Sequence, residues 1–124
     1  MDINPVSPVS FGYSNKLKTL YLQGKIKPKW GIYGDRLTKD TVSLEHLQPR
    51  SKGGKTQIEN LALASQKMNN LRGNKPLEDF LTPKNLVQYI NQFIDIDIPE
   101  FNGKEYAMGI LKTIGKIIGG KNGK

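Results

Sequence analysis

The single histidine of the chain, His46, directly follows Glu45, and this pair is the strongest candidate for chemistry in the sequence. A histidine with its ordinary pKa of about 6.5 can take a proton from water at neutral pH. A carboxylate such as that of Glu45 supplies the hard oxygen atoms that Mg²⁺ or Mn²⁺ prefers. The pair therefore predicts a general base beside a divalent-metal site.

Two asparagines could complete this site. Asn60 can donate and accept hydrogen bonds, so it could orient the His46 ring, but it could also be an ordinary turn residue, and the two roles are compatible. Asn69 offers an amide carbonyl oxygen as a second metal ligand, and its neighbour Asn70 is the alternative. The predicted catalytic residues are thus His46 and Asn60, and the predicted metal ligands are Glu45 and Asn69.

Positively charged side chains surround these residues in the sequence. Phosphate binding needs such a setting, although each cation could also simply be solvated. The chain has 19 Lys and Arg against 11 Asp and Glu, a net charge of +8. That excess favours a polyanionic partner, nucleic acid before an anionic membrane. The candidate nucleic-acid contacts are Arg50, Lys52, Lys55, Lys67, Arg72 and Lys75.

The candidate pair lies on a predicted strand. Residues 41–47 alternate apolar and polar side chains, which is typical of a half-buried strand, and Pro49 ends it. Neighbours on a regular strand point to opposite faces, so Glu45 and His46 can serve one site only if the strand twists or ends beside them.

The other candidates lie on elements that follow this strand. A polar loop over 48–59, a short second strand over 61–63 and a helix over about 65–74 complete the order strand, loop, strand, helix. Met68 and Leu71 are expected on the inner side of that helix. The predicted fold class is therefore α+β.

This stretch resembles the HNH nuclease family, whose site is a small strand–strand–helix finger around one metal ion. The family pattern has an acid–histidine pair, a proline three residues after the histidine, a Ser-x-Gly-Gly loop, an Asn-Leu, and an Asn-x-x-Lys/Arg-Gly on the helix. The order and spacing of these pieces agree over about residues 30–75. The matching segments are Glu45-His46, Pro49, Ser51-Lys52-Gly53-Gly54, Asn60-Leu61 and Asn69-Asn70-Leu71-Arg72-Gly73.

The resemblance implies a role for each candidate. His46 would be the general base that activates the attacking water, and Asn60 would fix its ring. Glu45 and Asn69 would hold the metal, and the family register favours Asn69 over Asn70. The metal would stabilise charge on the scissile phosphate and on the leaving oxygen, which implies products with a 5′-phosphate and a 3′-hydroxyl.

The chain departs from the family pattern at two points. The commoner acid before the histidine is Asp, and the extra methylene of Glu45 moves the carboxylate by about one bond length. Many relatives also carry two Cys-x-x-Cys pairs that bind a structural zinc, whereas this chain has no cysteine, so no structural zinc is expected. The thiolate positions correspond to Trp30, Tyr33, Ser65 and Met68. We expect the two aromatic rings and the thioether among them to fill the vacated site as an apolar cluster.

Three regions are predicted along the chain. Residues 1–13 carry prolines and a glycine and should form an irregular N-terminal arm. Residues 14–103 form the nuclease domain with its flanking helices. Residues 104–124 form a basic amphipathic helix and a tail that we expect to be disordered from Gly119 onward. Such a helix could lie on a membrane, but packing of its apolar stripe on the domain is the expected arrangement.

Local signals predict two further helices and a connection. Ser14 could cap a helix over 15–23. Thr82-Pro83 is a capping residue followed by proline at the first helical position, which predicts a helix start. Residues 95–103 contain a proline and a glycine and are expected to form an irregular connection.

These observations favour a metal-dependent endonuclease that hydrolyses phosphodiester bonds in DNA with Mg²⁺ or Mn²⁺; RNA is the less favoured substrate. One site per chain would nick one strand, so cleaving both strands would need a homodimer or two events, and a partner protein could supply targeting. The alternatives are an HNH-type nucleic-acid-binding protein that has lost cleavage, and a membrane-active basic protein.

The composition also predicts where the protein works. It has no cysteine, no secretion signal in its first residues, and no apolar run of the roughly 18 residues that indicate a membrane span. We therefore expect a soluble, intracellular protein of the cytoplasm without a membrane partner. Small proteins of this type resemble those of phages and mobile elements, which by analogy would place it in a host cytoplasm.

Overall fold

The computed structural model describes residues 16–122. In this range four α-helices and two antiparallel two-stranded sheets form a mixed fold, which confirms the predicted α+β class. The elements are α1 (Lys16–Leu22), β1 (Val42–His46), β2 (Leu61–Ser65), α2 (Gln66–Arg72), α3 (Pro83–Asn91), β3 (Asp97–Ile98), β4 (Phe101–Asn102) and α4 (Gly103–Asn122). The predicted arm 1–13 and the capping residue Ser14 lie outside the described residues.

The strands β1 and β2 form an antiparallel hairpin with a long connecting loop. Their register runs from Val42 opposite Ser65 to His46 opposite Leu61. The predicted order strand, loop, strand, helix is therefore observed. The second strand is longer than the predicted 61–63, because its last two residues also pair with β1.

Helix α2 begins directly after β2, where sequence analysis placed it. The Ser65 hydroxyl accepts a hydrogen bond from the backbone N–H of Met68 at 3.2 Å, which caps the first turn. The helix ends at Arg72, and Gly73 follows with a positive φ of 49°. Because no loop separates β2 from α2, the short helix packs back onto the hairpin.

The side of α2 that faces β1 is polar. Met68 is half-buried against the hydrophobic core, as predicted, but Leu71 is 50% exposed, so its predicted inner position is wrong. Asn69 and Arg72, almost one turn apart, face β1 instead. The reason is that β1 presents polar side chains to the helix, and polar helix residues satisfy them.

Two tyrosines hold β2 from the other side. Tyr106 on α4 donates its hydroxyl proton to the backbone oxygen of Leu61 at 2.7 Å. The Tyr89 hydroxyl on α3 accepts the backbone N–H of Leu63 at 2.9 Å and lies 2.8 Å from the Tyr106 oxygen. Both tyrosines are buried, so this network joins both long helices to the strand through the hydrophobic core.

Helix α4 packs on the domain, as sequence analysis expected. Its apolar stripe enters the core through Tyr106, Ala107, Ile110 and Ile114. The helix continues to Asn122, so the expected disorder is wrong for residues 119–122. Extending a helix that packing has already fixed needs no new nucleation, which offsets the poor propensity of glycine. Within the described range, no helix combines the length and the apolar character needed to cross a membrane.

The remaining predictions are partly confirmed. Thr82 caps α3 by accepting the backbone N–H of Asn85 at 3.1 Å, and Pro83 is the first helical residue, as predicted. The connection 95–103 is not wholly irregular, because β3 and β4 form a small antiparallel hairpin within it. Only two residue pairs form this ladder, too few for an alternating pattern to be visible in the sequence.

Candidate functional site

Glu45 lies in a buried ion pair between β1 and α2. The residue is only 3% exposed. One carboxylate oxygen, Oε2, accepts hydrogen bonds from the Tyr33 hydroxyl and from Arg72 Nη1, the latter at 3.1 Å. Arg72 is itself 1% exposed. The carboxylate that was predicted to hold a metal is therefore charge-paired inside the protein.

Arg72 joins three segments from this buried position. Besides Glu45, its guanidinium donates to the backbone oxygen of His46 at 3.0 Å and to that of Lys75 at 2.8 Å. The sequence predicts Arg72 at the surface, in contact with phosphate. The structure places it in the interior instead, because it lies on the side of α2 that faces β1.

The ionisation of this network follows from its burial. Burial raises the pKa of Glu45, and the hydrogen bonds from Tyr33 and Arg72 oppose that rise. Burial and the neighbouring carboxylate raise the pKa of the Tyr33 hydroxyl well above its usual range, so this group stays a hydrogen-bond donor. A neutral donor and a cationic donor thus hold Glu45 in one orientation.

His46 is half-buried at the end of β1. Its Nε2 lies 3.1 Å from the hydroxyl oxygen of Thr56 in the connecting loop. Burial lowers the pKa of His46, and the positive charge of Arg50 lowers it further. The ring is therefore neutral at neutral pH, as a general base must be. Sequence analysis missed Thr56, since a lone threonine in a polar loop carries no distinguishing pattern.

Asn60 fixes the loop between the strands. Its side-chain oxygen accepts the backbone N–H of Gln48 at 2.9 Å, and its amide nitrogen donates to the backbone oxygens of Gln48 and Lys55 at 3.1 and 2.9 Å. The structure thus gives Asn60 the turn role that sequence analysis left open, and the described partner of the His46 ring is Thr56. Asn60 acts on His46 only through the loop that it closes.

The second glycine of the predicted Ser-x-Gly-Gly loop, Gly54, lies closest to the neighbouring backbone. A Cβ atom on Gly54 would lie 1.7 Å from the backbone oxygen of Gln48, so no larger residue fits there. Gly53 has a φ of 88°, which glycine adopts readily. These two residues let the loop turn back close to the end of β1, where Asn60 then closes it.

Asn69 lies on the same strand–helix interface as Glu45. Its amide nitrogen donates to the hydroxyl of Ser43 at 2.6 Å and to the backbone oxygen of Leu44 at 3.0 Å. Both bonds use the nitrogen, which leaves the carbonyl oxygen for a cation. Asn70 is exposed on the outer side of the helix. The structure therefore brings Asn69, and not Asn70, to the strand that carries Glu45 and His46.

Two side chains at this interface carry oxygen atoms of the type that Mg²⁺ binds. The second carboxylate oxygen of Glu45 and the carbonyl oxygen of Asn69 are hard ligands, and Mg²⁺ usually binds only one or two protein carboxylates besides water and phosphate. Among residues 16–122 no cluster of three or more His, Cys, Asp or Glu side chains could hold an ion by itself. The positive charge of Arg72 reduces the attraction of Glu45 for a cation, so any such site would be weak.

The predicted phosphate contacts lie on two elements. Arg50, Lys52 and Lys55 are exposed on the loop that returns from β1 to β2. Lys67 is exposed near the start of α2, and Lys75, beyond its end, is exposed and donates to the backbone oxygen of Leu71 at 3.0 Å. These cations can meet a polyanion, in contrast to the buried Arg72.

The predicted apolar cluster of Trp30, Tyr33 and Met68 is not formed as expected. Tyr33 belongs to the core and contacts Phe80, with ring centroids 6.0 Å apart, but Trp30 is only half-buried and lies outside the core. The expected packing of Trp30 on Tyr33 is therefore wrong. The segment 30–36 is tied to the start of α2 by the carboxylate of Asp35, which accepts the backbone N–H of Ser65.

Comparisons with known proteins found no relative of this chain. A scan against protein-family models, a search of curated proteins and a search of solved structures each returned no match.

Proposed function

We propose that the chain is a metal-dependent endonuclease of the HNH type that hydrolyses phosphodiester bonds in DNA. One observation carries the proposal: Glu45 and Asn69 share one strand–helix interface, and β1 ends at the next residue, the half-buried His46, whose pKa is lowered. Hard oxygen ligands and a general base are the two components that metal-assisted phosphodiester hydrolysis requires.

The residues around Glu45 have a defined task in this proposal. Glu45 and Asn69 would hold Mg²⁺ or Mn²⁺, which would supply positive charge to the scissile phosphate and the leaving oxygen. The Tyr33 hydroxyl and the Arg72 guanidinium orient the Glu45 carboxylate, as hydrogen-bonding partners behind a metal ligand usually do.

His46 takes the proton of the attacking water in the proposed reaction. With the ring proton on Nε2, the imidazole donates to the Thr56 hydroxyl oxygen, and Nδ1 is left with the lone pair that accepts a proton. The contact with Thr56 limits rotation of the ring, and the proposed reaction uses the tautomer in which the Thr56 hydroxyl oxygen accepts the Nε2 proton. The lowered pKa of His46 keeps Nδ1 unprotonated before the reaction.

The loop cations would bring the substrate to this site. Arg50, Lys52 and Lys55 are exposed on a loop whose shape Asn60 fixes, so their positions relative to β1 are constrained. DNA is the proposed polyanion, with RNA as the alternative. A single site would nick one strand, and a homodimer or a partner protein would be needed for paired or targeted cleavage.

One observation favours a second candidate, a nucleic-acid-binding protein without cleavage. The close guanidinium of Arg72 neutralises Glu45, and a carboxylate neutralised in this way attracts a divalent cation less strongly. In that case the loop cations would still bind DNA, while the strand–helix interface would serve only to hold α2 on β1.

Plasmid cleavage separates the two candidates. With Mg²⁺ or Mn²⁺, the purified protein should convert supercoiled plasmid to the nicked form, and His46→Ala should lower the rate by about 10²-fold or more, as expected for loss of a general base. A Lys18→Ala variant, changed on α1 outside the proposed site, is the control and should nick normally. Plasmid binding without nicking in either metal would favour the binding protein.

A further inference from the structure

A second group of exposed cations lies outside the candidate site, around Trp30. The cations line a surface depression of about 450 Å³ whose lining, in the part of the chain that the structure describes, contains no acidic side chain. Asp35, beside them in the sequence, directs its carboxylate to the backbone N–H of Ser65. The group, here named the Trp30 patch, consists of Lys27, Lys29, Trp30, Arg36 and Lys39.

The indole of Trp30 holds two of these cations in place. Lys29 Nζ lies 5.3 Å from the ring centroid, and the guanidinium carbon of Arg36 lies 6.0 Å from it, both within the usual cation–π range of about 6 Å. The side-chain oxygen of Gln92 accepts the backbone N–H groups of Lys29 and Trp30, each at 2.8 Å. The patch is therefore anchored to the residue that follows α3 and is partly preorganised.

The patch continues toward the candidate site. Arg36 also lines a second depression, of about 570 Å³, together with Lys67 and Asn70 of α2 and with Asp35, whose carboxylate accepts the backbone N–H of Ser65. The neighbouring residue of that helix is Asn69, a proposed metal ligand. Exposed cations thus line both depressions, from Lys27 beside α1 to Lys67 on the helix that carries part of the candidate site.

We propose that the Trp30 patch binds the sugar-phosphate backbone of a nucleic-acid strand and extends the substrate-binding surface beyond the loop cations. The inference deepens the proposed function and rests on it for the identity of the polyanion. Cations around a depression that no described acidic side chain lines suit phosphates, whose binding releases counterions. A membrane surface fits less well, because none of the large exposed hydrophobic side chains among the described residues lines the patch.

The test measures binding in the His46→Ala background, where cleavage does not interfere. The patch variant Lys27→Glu/Lys39→Glu changes the two lysines that do not contact the indole, so the packing around Trp30 is kept. We expect it to weaken binding of a labelled DNA oligonucleotide by about tenfold or more at low salt, and to reduce the salt slope by about two. The control, Lys104→Glu/Lys112→Glu on α4, makes the same charge change and should weaken binding by less than about threefold.

A second measurement uses the only tryptophan of the chain. Saturating oligonucleotide should change the Trp30 fluorescence, because the cations that contact the ring would engage phosphates. Equal weakening by the patch and control variants, or binding without a fluorescence change, would overturn the inference. The inference would also be overturned if the patch variant lost binding to anionic lipid vesicles but still bound the oligonucleotide normally. Failure of the wild-type protein to nick plasmid would refute the proposed function. The binding measurement would still test the patch, because it does not depend on cleavage.

Discussion

Two buried hydrogen-bond networks hold the central hairpin, one on each strand, and they differ in charge. On β1, Glu45 is paired with the cation Arg72 and with the Tyr33 hydroxyl. On β2, the neutral hydroxyls of Tyr89 and Tyr106 satisfy backbone groups of the strand. Both networks tie a strand to helices, yet only the first places full charges in the interior.

The two networks differ in what their burial costs the folded state. A neutral network loses little on burial when every donor finds an acceptor. A buried ion pair loses several kcal/mol of solvation for each charge, and apolar side chains of similar size often serve stability as well or better. We propose that the charged network serves function rather than stability, because it holds the Glu45 carboxylate in one orientation at the strand–helix interface that Asn69 shares.

Removing one charge of the β1 network should produce the largest effect on stability. Arg72→Met leaves Glu45 buried without its cation, so we expect the free energy of unfolding to fall by about 3–5 kcal/mol, measured by urea denaturation. Burial raises the pKa of Glu45, and a raised folded-state pKa stabilises the fold at low pH and loses that contribution as pH rises. The loss in Arg72→Met should therefore be smaller in mildly acidic than in alkaline buffer.

The double variant Glu45→Leu/Arg72→Met is the control for this prediction. It removes both charges and leaves neither unpaired, so most of the lost stability should return, while plasmid nicking should be abolished because a proposed metal ligand is gone. If the double variant is as unstable as Arg72→Met, the loss comes from packing, and the interpretation of the network as a functional cost is wrong.

The sequence predicted the elements that depend on local signals. Thr82 caps α3 where its position indicated, and Ser65, predicted as the first residue of a helix, caps α2, because an N-cap bonds a backbone N–H only three residues further on. The alternating pattern likewise located β1 within one residue at each end of the predicted range 41–47. These interactions join residues close in sequence, so their spacing can be recognised without the structure.

The sequence could not predict the partners that come from distant segments. Arg72 and Glu45 are 27 positions apart, and charged residues are normally exposed, so Arg72 was assigned to the surface. Tyr33 was expected to pack on Trp30 but donates to Glu45 instead. The side of α2 that meets β1 was predicted from apolar spacing, a rule that fails where a strand presents polar side chains.

Breaking the β2 network should have a smaller effect than Arg72→Met. Tyr106→Phe removes the donor to the Leu61 backbone oxygen and one partner of Tyr89, so we expect a loss of about 1–3 kcal/mol in urea denaturation. Burial raises the pKa of both network tyrosines, so they stay neutral and the loss should not vary between about pH 5 and pH 8. Tyr21→Phe is the matched control, because its hydroxyl makes no hydrogen bond among the described residues, and it should cost less.

The smallest effect concerns the charge near His46. Because burial and Arg50 lower its pKa, His46 should titrate below the ordinary histidine value of about 6.5, and Arg50→Gln should move the titration toward that value. The ring protons of the only histidine give both values directly by NMR. A lowered folded-state pKa also means that stability present above the ordinary value is lost as pH falls through the folded one. Titration of His46 above the ordinary value would place a negative group beside the ring and would remove the argument that it is a neutral base before the reaction.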